Sequence, residues 1–244
     1  MIYCISDIHG EIDRYKAMLE LIDFKDEDTL YVIGDVIDRK PHGVDILLDI
    51  MSRPNVKMIM GNHENLALAD LFYRVEGVRR VWQNNGGSST RNDLIYKRPR
   101  KDMNKILRYL RDLPDHVELE VNGRKFYLVH GYPADNTWDR IWKRPDPEAS
   151  APIEGVTAVI GHTPTVFLGV DPDKPVVIWH GNGVICIDCG CGNESDLRRL
   201  ACLRLDDMAE FSILSTALWA KTPTKEYGDA PIFTAKRLLP IRPS

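Results

Sequence analysis

The sequence predicts an α/β fold in which two packed, mixed β-sheets are flanked by helices. The first third of the chain alternates β-rich runs with amphipathic helical patterns, which favours parallel strand pairing. The second half is rich in strand-like runs separated by turn sequences. The length of 244 residues, 43% of them hydrophobic, suits one globular domain, or at most two, with a well-buried core.

Nine short runs rich in β-branched and aromatic residues predict the strands. They are Ile2–Ile5, Thr29–Ile33, Val56–Met60, Val117–Val121, Lys125–Val129, Val156–Ile160, Val176–Trp179, Val184–Ile187 and Leu200–Leu205. Two Asn- and Gly-rich sequences, Asn122-Gly123 and Gly181-Asn182-Gly183, predict hairpin turns in the second half.

Apolar residues at helical spacing predict three helices. Their buried faces are Ile12, Tyr15, Leu19 and Ile22; then Val44, Leu47, Leu48 and Met51; then Met103, Ile106, Leu107 and Leu110. We interpret residues 1–244 as a single domain. Its last part, residues 221–244, contains four prolines and is predicted to be an extended tail.

The composition favours a cytoplasmic protein. A net charge of −4 gives no support for general nucleic-acid binding, and no run of 18 apolar residues predicts a membrane span. The odd number of cysteines, five, argues against a disulfide framework. Cys186, Cys189 and Cys191 are therefore predicted to be reduced thiols, with a separate metal site as the alternative.

Five short polar motifs each follow a predicted strand. They are Ser6-Asp7-Ile8-His9-Gly10, Gly34-Asp35-Val36-Ile37-Asp38-Arg39, Gly61-Asn62-His63-Glu64, His130-Gly131 and Gly161-His162-Thr163. Because the carboxyl ends of neighbouring parallel strands meet at one edge of a sheet, these motifs are expected to converge. A single Asp or His after a strand is usually a cap or turn residue, but five such motifs in order favour a shared site.

The polar residues of these motifs predict a metal centre. The six candidate ligands are Asp7, His9, Asp35, Asn62, His130 and His162. Carboxylate, imidazole and carboxamide groups suit Mn, Fe, Zn or Mg. Six ligands are too many for one ion with an open position, but they suit two ions that share a bridging carboxylate. The remaining histidines, His42, His116 and His180, match no motif.

The ordered motifs D-x-H, G-D-x-x-D-R, G-N-H-E, H-G and G-H-T resemble those of the phosphoprotein phosphatase family within the calcineurin-like metallophosphoesterases. The resemblance extends from Asp7 to Thr163, about two-thirds of the chain. Further features are similar to bacterial and phage-type Ser/Thr phosphatases, namely Trp82 with Asn85-Gly86-Gly87, Trp142-Lys143-Arg144, and Ile187-Asp188 with Gly190. The resemblance implies the same sandwich of two sheets.

The resemblance also implies two divalent cations, foremost Mn with Fe or Zn as alternatives, and hydrolysis by a hydroxide held between them. The first cation would be held by Asp7, His9 and Asp35, and the second by the bridging Asp35 with Asn62, His130 and His162. His63 would be the general acid, oriented by Asp38. Arg39 and Arg144 would hold the phosphate oxygens.

Two residues depart from the family pattern. Met60 stands where protein phosphatases usually carry Arg, and Lys40 where they usually carry Gly. The leading hypothesis is a phosphomonoesterase of Ser/Thr protein phosphatase type, acting on a phosphorylated protein or a small phosphate ester. The alternative is a nucleotide-directed enzyme, such as a dinucleoside tetraphosphatase or a polynucleotide phosphatase. A non-catalytic binding module is the third hypothesis. No membrane partner is expected.

Overall fold

The computed structural model describes residues 1–214, so the predicted tail at 221–244 lies outside the described residues. The strands in this part are β1 (Ile2–Ile5), β2 (Thr29–Ile33), β3 (Val56–Ile59), β4 (His116–Val121), β5 (Arg124–Val129), β6 (Val156–Ile160), β7 (Trp179–His180), β8 (Val184–Cys186), β9 (Arg199–Arg204) and β10 (Glu210–Leu214). The helices are α1 (Ile12–Leu21), α2 (Gly43–Ser52), α3 (Asn62–Leu71), α4 (Val78–Asn84), α5 (Ser88–Asn92), α6 (Arg100–Arg111) and α7 (Thr137–Trp142). A π-helical turn, Asp93–Lys97, and a 3-10 turn, Thr165–Leu168, complete the elements.

The strands form two five-stranded mixed sheets, with the orders β10-β9-β1-β2-β3 and β4-β5-β6-β8-β7. In the first sheet β1, β2 and β3 are parallel, and β9 and β10 are antiparallel additions at one edge. In the second sheet β5, β6 and β8 are parallel. The predicted fold class is therefore confirmed.

Side-chain alternation along the strands divides the core into layers. Tyr3 and Ile5 of β1 pack into the cluster that contains residues of α1, α2, α3 and α6, whereas Cys4 points to the other face. There Cys4 joins a cluster with Leu128 of β5 and Val159 of β6, which lies between the two sheets. The parallel strands of both sheets thus end near one another, which positions the site.

Most predicted strands agree with the structure to within one or two residues, but several elements were not predicted. β7 begins at Trp179 rather than Val176, and the short strand β10 was missed. Helix α3 was missed because its buried side carries polar residues such as Asn62, His63 and Glu64, which obscure an amphipathic pattern. The predicted turn at Asn122-Gly123 has φ of 51° and 77°, as a two-residue hairpin requires.

All five cysteines are buried and free. Within residues 1–214, the groups of side chains with a spacing that suits a metal ion contain His and Asp but no Cys, which agrees with reduced thiols at Cys186, Cys189 and Cys191. In the same residues, no helix combines the length and the apolar character needed to cross a membrane.

Candidate metal centre and active site

The predicted ligands lie where strands of both sheets end. Asp7 and His9 follow β1, Asp35 follows β2, and Asn62 begins α3 directly after β3. His130 follows β5 and His162 follows β6 in the second sheet. All six are nine-tenths or more buried apart from His162, which is intermediate.

The backbone at this junction is held in a conformation that residues other than glycine rarely adopt. Six candidate site residues have positive φ between 47° and 73°: Asp7, His9, Asp35, Asp38, Arg39 and His162. Left-handed residues of this kind concentrate at functional sites, where the surrounding structure compensates the strain. Close packing requires glycine beside them, since a Cβ on Gly61 would lie 2.4 Å from Asp35 N, and one on Gly161 2.3 Å from Asp7 Oδ2.

Asp35 lies at the centre of the cluster. Its Oδ2 is 3.6 Å from His9 Nε2, 3.7 Å from His63 Nε2 and 3.4 Å from His130 Nε2. Two groups of three side chains with metal-ligand spacing exist among the described residues, and Asp35 belongs to both. The first group adds His9 and His63, and the second adds His130 and His162. This arrangement suits a carboxylate that bridges two cations.

Backbone carbonyls fix the imidazole tautomers. His9 Nδ1 donates to Ile37 O at 2.9 Å, and His130 Nδ1 donates to Ile33 O at 2.9 Å. In the neutral form of each ring, Nε2 is therefore the lone-pair nitrogen on the side of Asp35, which is how metal-bound histidines are oriented. His9 Nε2 is fully buried without a hydrogen-bond partner in the described structure.

Acceptor atoms converge on Asn62. Its Oδ1 lies 2.9 Å from His130 Nε2 and 3.0 Å from His162 Nδ1, while His162 Nε2 donates to Trp142 O at 3.1 Å. When both rings are neutral, three lone pairs face one another, and this is unfavourable unless a cation or a proton lies between them. The donor set thus fits a divalent cation bound by oxygen and nitrogen.

Burial and neighbouring charges shift the pKa values of the cluster in opposite directions. Burial lowers the pKa of His130, but the adjacent Asp35 carboxylate outweighs it and raises the pKa to about 10. Burial and the neighbouring His130 lower the pKa of His162 to about 3. Burial opposes ionisation of Asp35, but the charges of His130, His63 and His9 hold its pKa well below the ordinary value.

Asp7 lies beside this cluster, and its part in the predicted ligand set stays a prediction. Its two carboxylate oxygens accept the backbone N–H of His162 at 3.0 and 3.3 Å, and it belongs to neither group of three in the described structure. Burial and the nearby Asp35 raise its pKa to about 6. Asp7 is therefore at the site but is held mainly against the strand end of the second sheet.

His63 and Asp38 form a buried pair. His63 Nδ1 donates to Asp38 Oδ2 at 2.7 Å, and the side chains are 2% and 0% exposed. The same Oδ2 accepts a second hydrogen bond of 2.7 Å from Trp82 Nε1, and Asp38 N donates to Thr90 Oγ1 at 2.9 Å. Burial lowers the pKa of His63, but Asp35 and Asp38 outweigh it and raise the pKa above its ordinary value. The pair can hold a proton beside the cluster.

The two candidate phosphate-binding arginines are exposed at the rim. Arg39 Nη1 donates to Asn193 Oδ1 at 3.2 Å, and its positive charge opposes protonation of His9 and His63. Arg144 is close enough to His162 for its charge to contribute to the low pKa of that ring. Both arginines lie at exposed positions near the cluster, and their role in binding phosphate stays a prediction.

Met60 does not line the site in the way that its position in the motif predicts. Its side chain is 7% exposed and belongs to the hydrophobic cluster on the helical side of the first sheet. Of the other residues noted in the sequence, His42, His116 and His180 pair with nearby acidic side chains, Asp45, Asp115 and Glu210, outside the cluster.

Glu64 has a role that the sequence did not reveal. Its carboxylate is fully buried and accepts four backbone N–H groups, from Asp35 at 2.9 Å, Val36 at 3.0 Å, Ile37 at 3.3 Å and Gly61 at 3.2 Å. It thereby fixes the strained turn that carries Asp35 and also caps the start of α3. The G-N-H-E motif marks this residue, but only the tertiary contacts show its function.

Glu64→Gln is expected to lower both stability and metal affinity. The amide loses the negative charge and presents an NH2 group to backbone donors, so the free energy of unfolding should fall by about 3 kcal/mol. Urea denaturation and metal titration measure the two effects. Glu27→Gln at an exposed position is the matched control and should change neither. Normal stability and metal affinity in Glu64→Gln would contradict the proposed role of Glu64 in holding the turn that carries Asp35.

Comparison with known proteins gives the family and the fold. A sequence model of the calcineurin-like phosphoesterase family matches residues 1–190. The chain is 31% identical over 132 residues to a symmetrical bis(5'-nucleosyl)-tetraphosphatase of Delftia acidovorans, which covers 53% of this chain and 43% of the relative. It is 29% identical over 139 residues to serine/threonine-protein phosphatase 2 of Salmonella typhimurium, a match that covers 57% of this chain and 61% of the relative.

These matches span less than two-thirds of the length of either curated relative. The crystal structure of a metallophosphoesterase from Sphaerobacter thermophilus superposes with a TM-score of 0.53 at 18% identity, covering 91% of this chain and 95% of that one. Such a likeness establishes the fold, and it agrees with the two-sheet sandwich described above.

Proposed function

Because this chain belongs to the calcineurin-like phosphoesterase family, we propose that it is a phosphomonoesterase of the Ser/Thr protein phosphatase type. The family makes it a metal-dependent hydrolase of phosphate esters. The observation that carries the finer proposal is the buried His63–Asp38 pair, with its 2.7 Å hydrogen bond. A general acid is most valuable for esters whose leaving group is a poorly stabilised alkoxide.

In this proposal two divalent cations, foremost Mn, would be held by Asp7, His9, Asp35, Asn62, His130 and His162, with Asp35 as the ligand common to both. When bound, the cations supply Lewis acidity and an acidified water molecule for attack on phosphorus. Arg39 and Arg144 bind the phosphate oxygens, since a guanidinium matches their geometry. His63 gives its proton to the departing oxygen while Asp38 keeps the ring oriented and stabilises the charged form.

A nucleotide-directed phosphohydrolase is the second candidate. The relative from Delftia acidovorans is named a tetraphosphatase, and Met60 replaces the arginine that protein phosphatases usually carry. A dinucleoside polyphosphate releases a phosphate group that is already a good leaving group. Its hydrolysis therefore depends less on a general acid, so the His63–Asp38 pair favours the first candidate.

A substrate panel with controlled metal content tests the proposal. Chelated protein should lose hydrolysis of an aryl phosphate, and Mn should restore it best. The restored enzyme is then compared on phosphopeptides, dinucleoside polyphosphates, 3′-phosphorylated nucleic acid and the aryl phosphate. Higher kcat/KM on the monoesters supports the first candidate, whereas higher kcat/KM on the dinucleotides supports the second. Full activity in protein shown by elemental analysis to be metal-free would contradict both.

A further inference from the structure

The last turn of helix α7 contacts the two histidines that are proposed to bind the second cation. The last four carbonyl groups of a helix have no partner within the helix. In α7 the carbonyl of Arg140 accepts the N–H of Gly131, the residue after His130, at 2.7 Å. The carbonyl of Trp142 accepts Nε2 of His162 at 3.1 Å. The end of one short helix therefore holds two neighbouring candidate ligands through its free backbone acceptors.

The contact with Trp142 determines which nitrogen of His162 is free to bind an ion. A metal-bound imidazole is neutral and carries its single N–H on the nitrogen that does not bind the metal. With that N–H on Nε2 and donated to the Trp142 carbonyl, the lone pair is on Nδ1, which lies 3.0 Å from Asn62 Oδ1. The position of one carbonyl oxygen thus sets the ligand atom of His162.

Helix α7 packs on this strand end without any space to spare. A Cβ on Gly131 would lie 2.8 Å from Lys143 O and 2.9 Å from Arg140 O, closer than real Cβ atoms approach backbone. The ring of Trp142 also meets that of His162 edge-on, with the centroids 6.0 Å apart. A shift of α7 would therefore move the carbonyl that accepts the hydrogen bond from His162.

Asp115 attaches α7 to the start of β4. Its carboxylate accepts hydrogen bonds from Thr137 Oγ1, in the first turn of the helix, and from Arg140 Nη1 at 3.1 Å. It also accepts His116 Nδ1 at 2.7 Å. Burial opposes ionisation of Asp115, but these three donors outweigh it and hold its pKa below the ordinary value. A charged side chain thus ties the helix to the second sheet, and none of the proposed catalytic roles uses it.

We propose that Asp115 is a positioning residue for the second cation. It holds α7 so that the Trp142 carbonyl keeps the Nε2–H of His162 and directs Nδ1 at the ion. The inference rests on the metal centre of the proposed function, and it adds a residue that touches neither substrate nor metal. Groups that orient metal-bound histidines through hydrogen bonds change metal affinity about 10–100-fold when they are removed. Because Asp115 acts on His162 through a helix, the lower end of this range is expected.

Titration of the chelated full-length protein with Zn is the first measurement. Asp115→Ala should weaken the binding of one of the two ions about 10-fold. The other ion should bind unchanged, because His9, a candidate ligand of the first cation, follows a strand of the other sheet. Asp115→Asn keeps an oxygen acceptor and should restore part of the affinity. Asp112→Ala is the matched control, since Asp112 is an exposed carboxylate that pairs with Arg111, and it should change neither ion.

Exchange of the imidazole N–H protons with water separates positioning from a general loss of stability. In NMR spectra of the Zn-loaded protein, the hydrogen bond to Trp142 should protect the Nε2–H of His162. Asp115→Ala should speed this exchange and leave the Nδ1–H of His9, which donates to Ile37 O, protected. Equal acceleration at both rings would mean that Asp115 only supports the fold, and would overturn the proposal.

Unchanged affinity for both ions in a folded Asp115→Ala variant would also overturn it. If that variant does not fold, Thr137→Val, which removes one donor to Asp115, takes its place with the same expected changes and the same contrary results. Neither readout uses hydrolysis. A protein whose second ion depends on Asp115 but which cleaves no phosphate ester would support the inference and count against the proposed function.

Discussion

Asp35→Asn is expected to abolish phosphatase activity and to reduce bound metal below two ions per chain. The carboxylate is the one acidic group within 3.4–3.7 Å of three imidazole nitrogens in the described structure, and it belongs to both candidate ligand groups. An amide keeps the shape but removes the charge that offsets two cations. Even indirect supports of a metal site change affinity about 10–100-fold, so loss of the bridging ligand should cost at least that much.

Elemental analysis and aryl phosphatase assays over a range of Mn concentrations measure this effect. Asp93→Asn is the matched control, since Asp93 is also a buried carboxylate but pairs with Lys97 and Arg98 in the helical layer. The control is expected to lose stability while retaining metal and activity. If Asp35→Asn kept two ions and normal turnover, the bridging role would be wrong.

The convergence of the ligands could be predicted from the sequence for a physical reason. Parallel strands of one sheet end on one edge, which predicts that Asp7 and Asp35 meet, whereas His130 follows a strand of the second sheet and joins them because the two sheets pack together. The positions of β1, β2 and β5 were clear because apolar, β-branched runs stop abruptly at the polar motifs. Local pattern and topology were sufficient for this part of the site.

Other parts depended on contacts that no local pattern shows. Trp82 reaches Asp38 across 44 residues, and Glu64 reaches Asp35 across 29. The apolar pattern does not predict helix α3, because its buried face carries polar residues that belong to the site. Met60 differs from its motif in the opposite sense. The motif suggests a phosphate contact at this position, but the side chain packs into the hydrophobic cluster.

His63→Asn is expected to fail in a different way from Asp35→Asn. If His63 is the general acid, its loss should lower kcat about 10²–10⁴-fold on alkyl phosphates, whose alkoxide requires a proton. An activated aryl ester leaves without that proton and should be affected much less. Metal content should stay normal if His63 acts only as the acid, because the six proposed ligands, Asp35 among them, remain in the variant.

The structure also allows a second role for His63, as a metal ligand. His63 Nε2 is 3.7 Å from Asp35 Oδ2 and shares a candidate ligand group with His9. If His63 were a metal ligand, His63→Asn would lose metal and would slow both ester classes equally. The ratio of alkyl to aryl kcat, measured together with metal stoichiometry, separates the two roles.

Asp38→Asn and Trp82→Phe complete the series. Asn at position 38 can still accept the hydrogen bond from His63 but no longer stabilises its charged form, so it should reproduce the selective loss on alkyl esters to a smaller degree. Trp82→Phe removes one donor to Asp38 Oδ2 and keeps most of the buried ring, so its effect should be smaller still. A graded loss from His63 to Asp38 to Trp82, confined to poor leaving groups, is what an oriented acid produces; a uniform loss on both ester classes would mean that these side chains only support the fold.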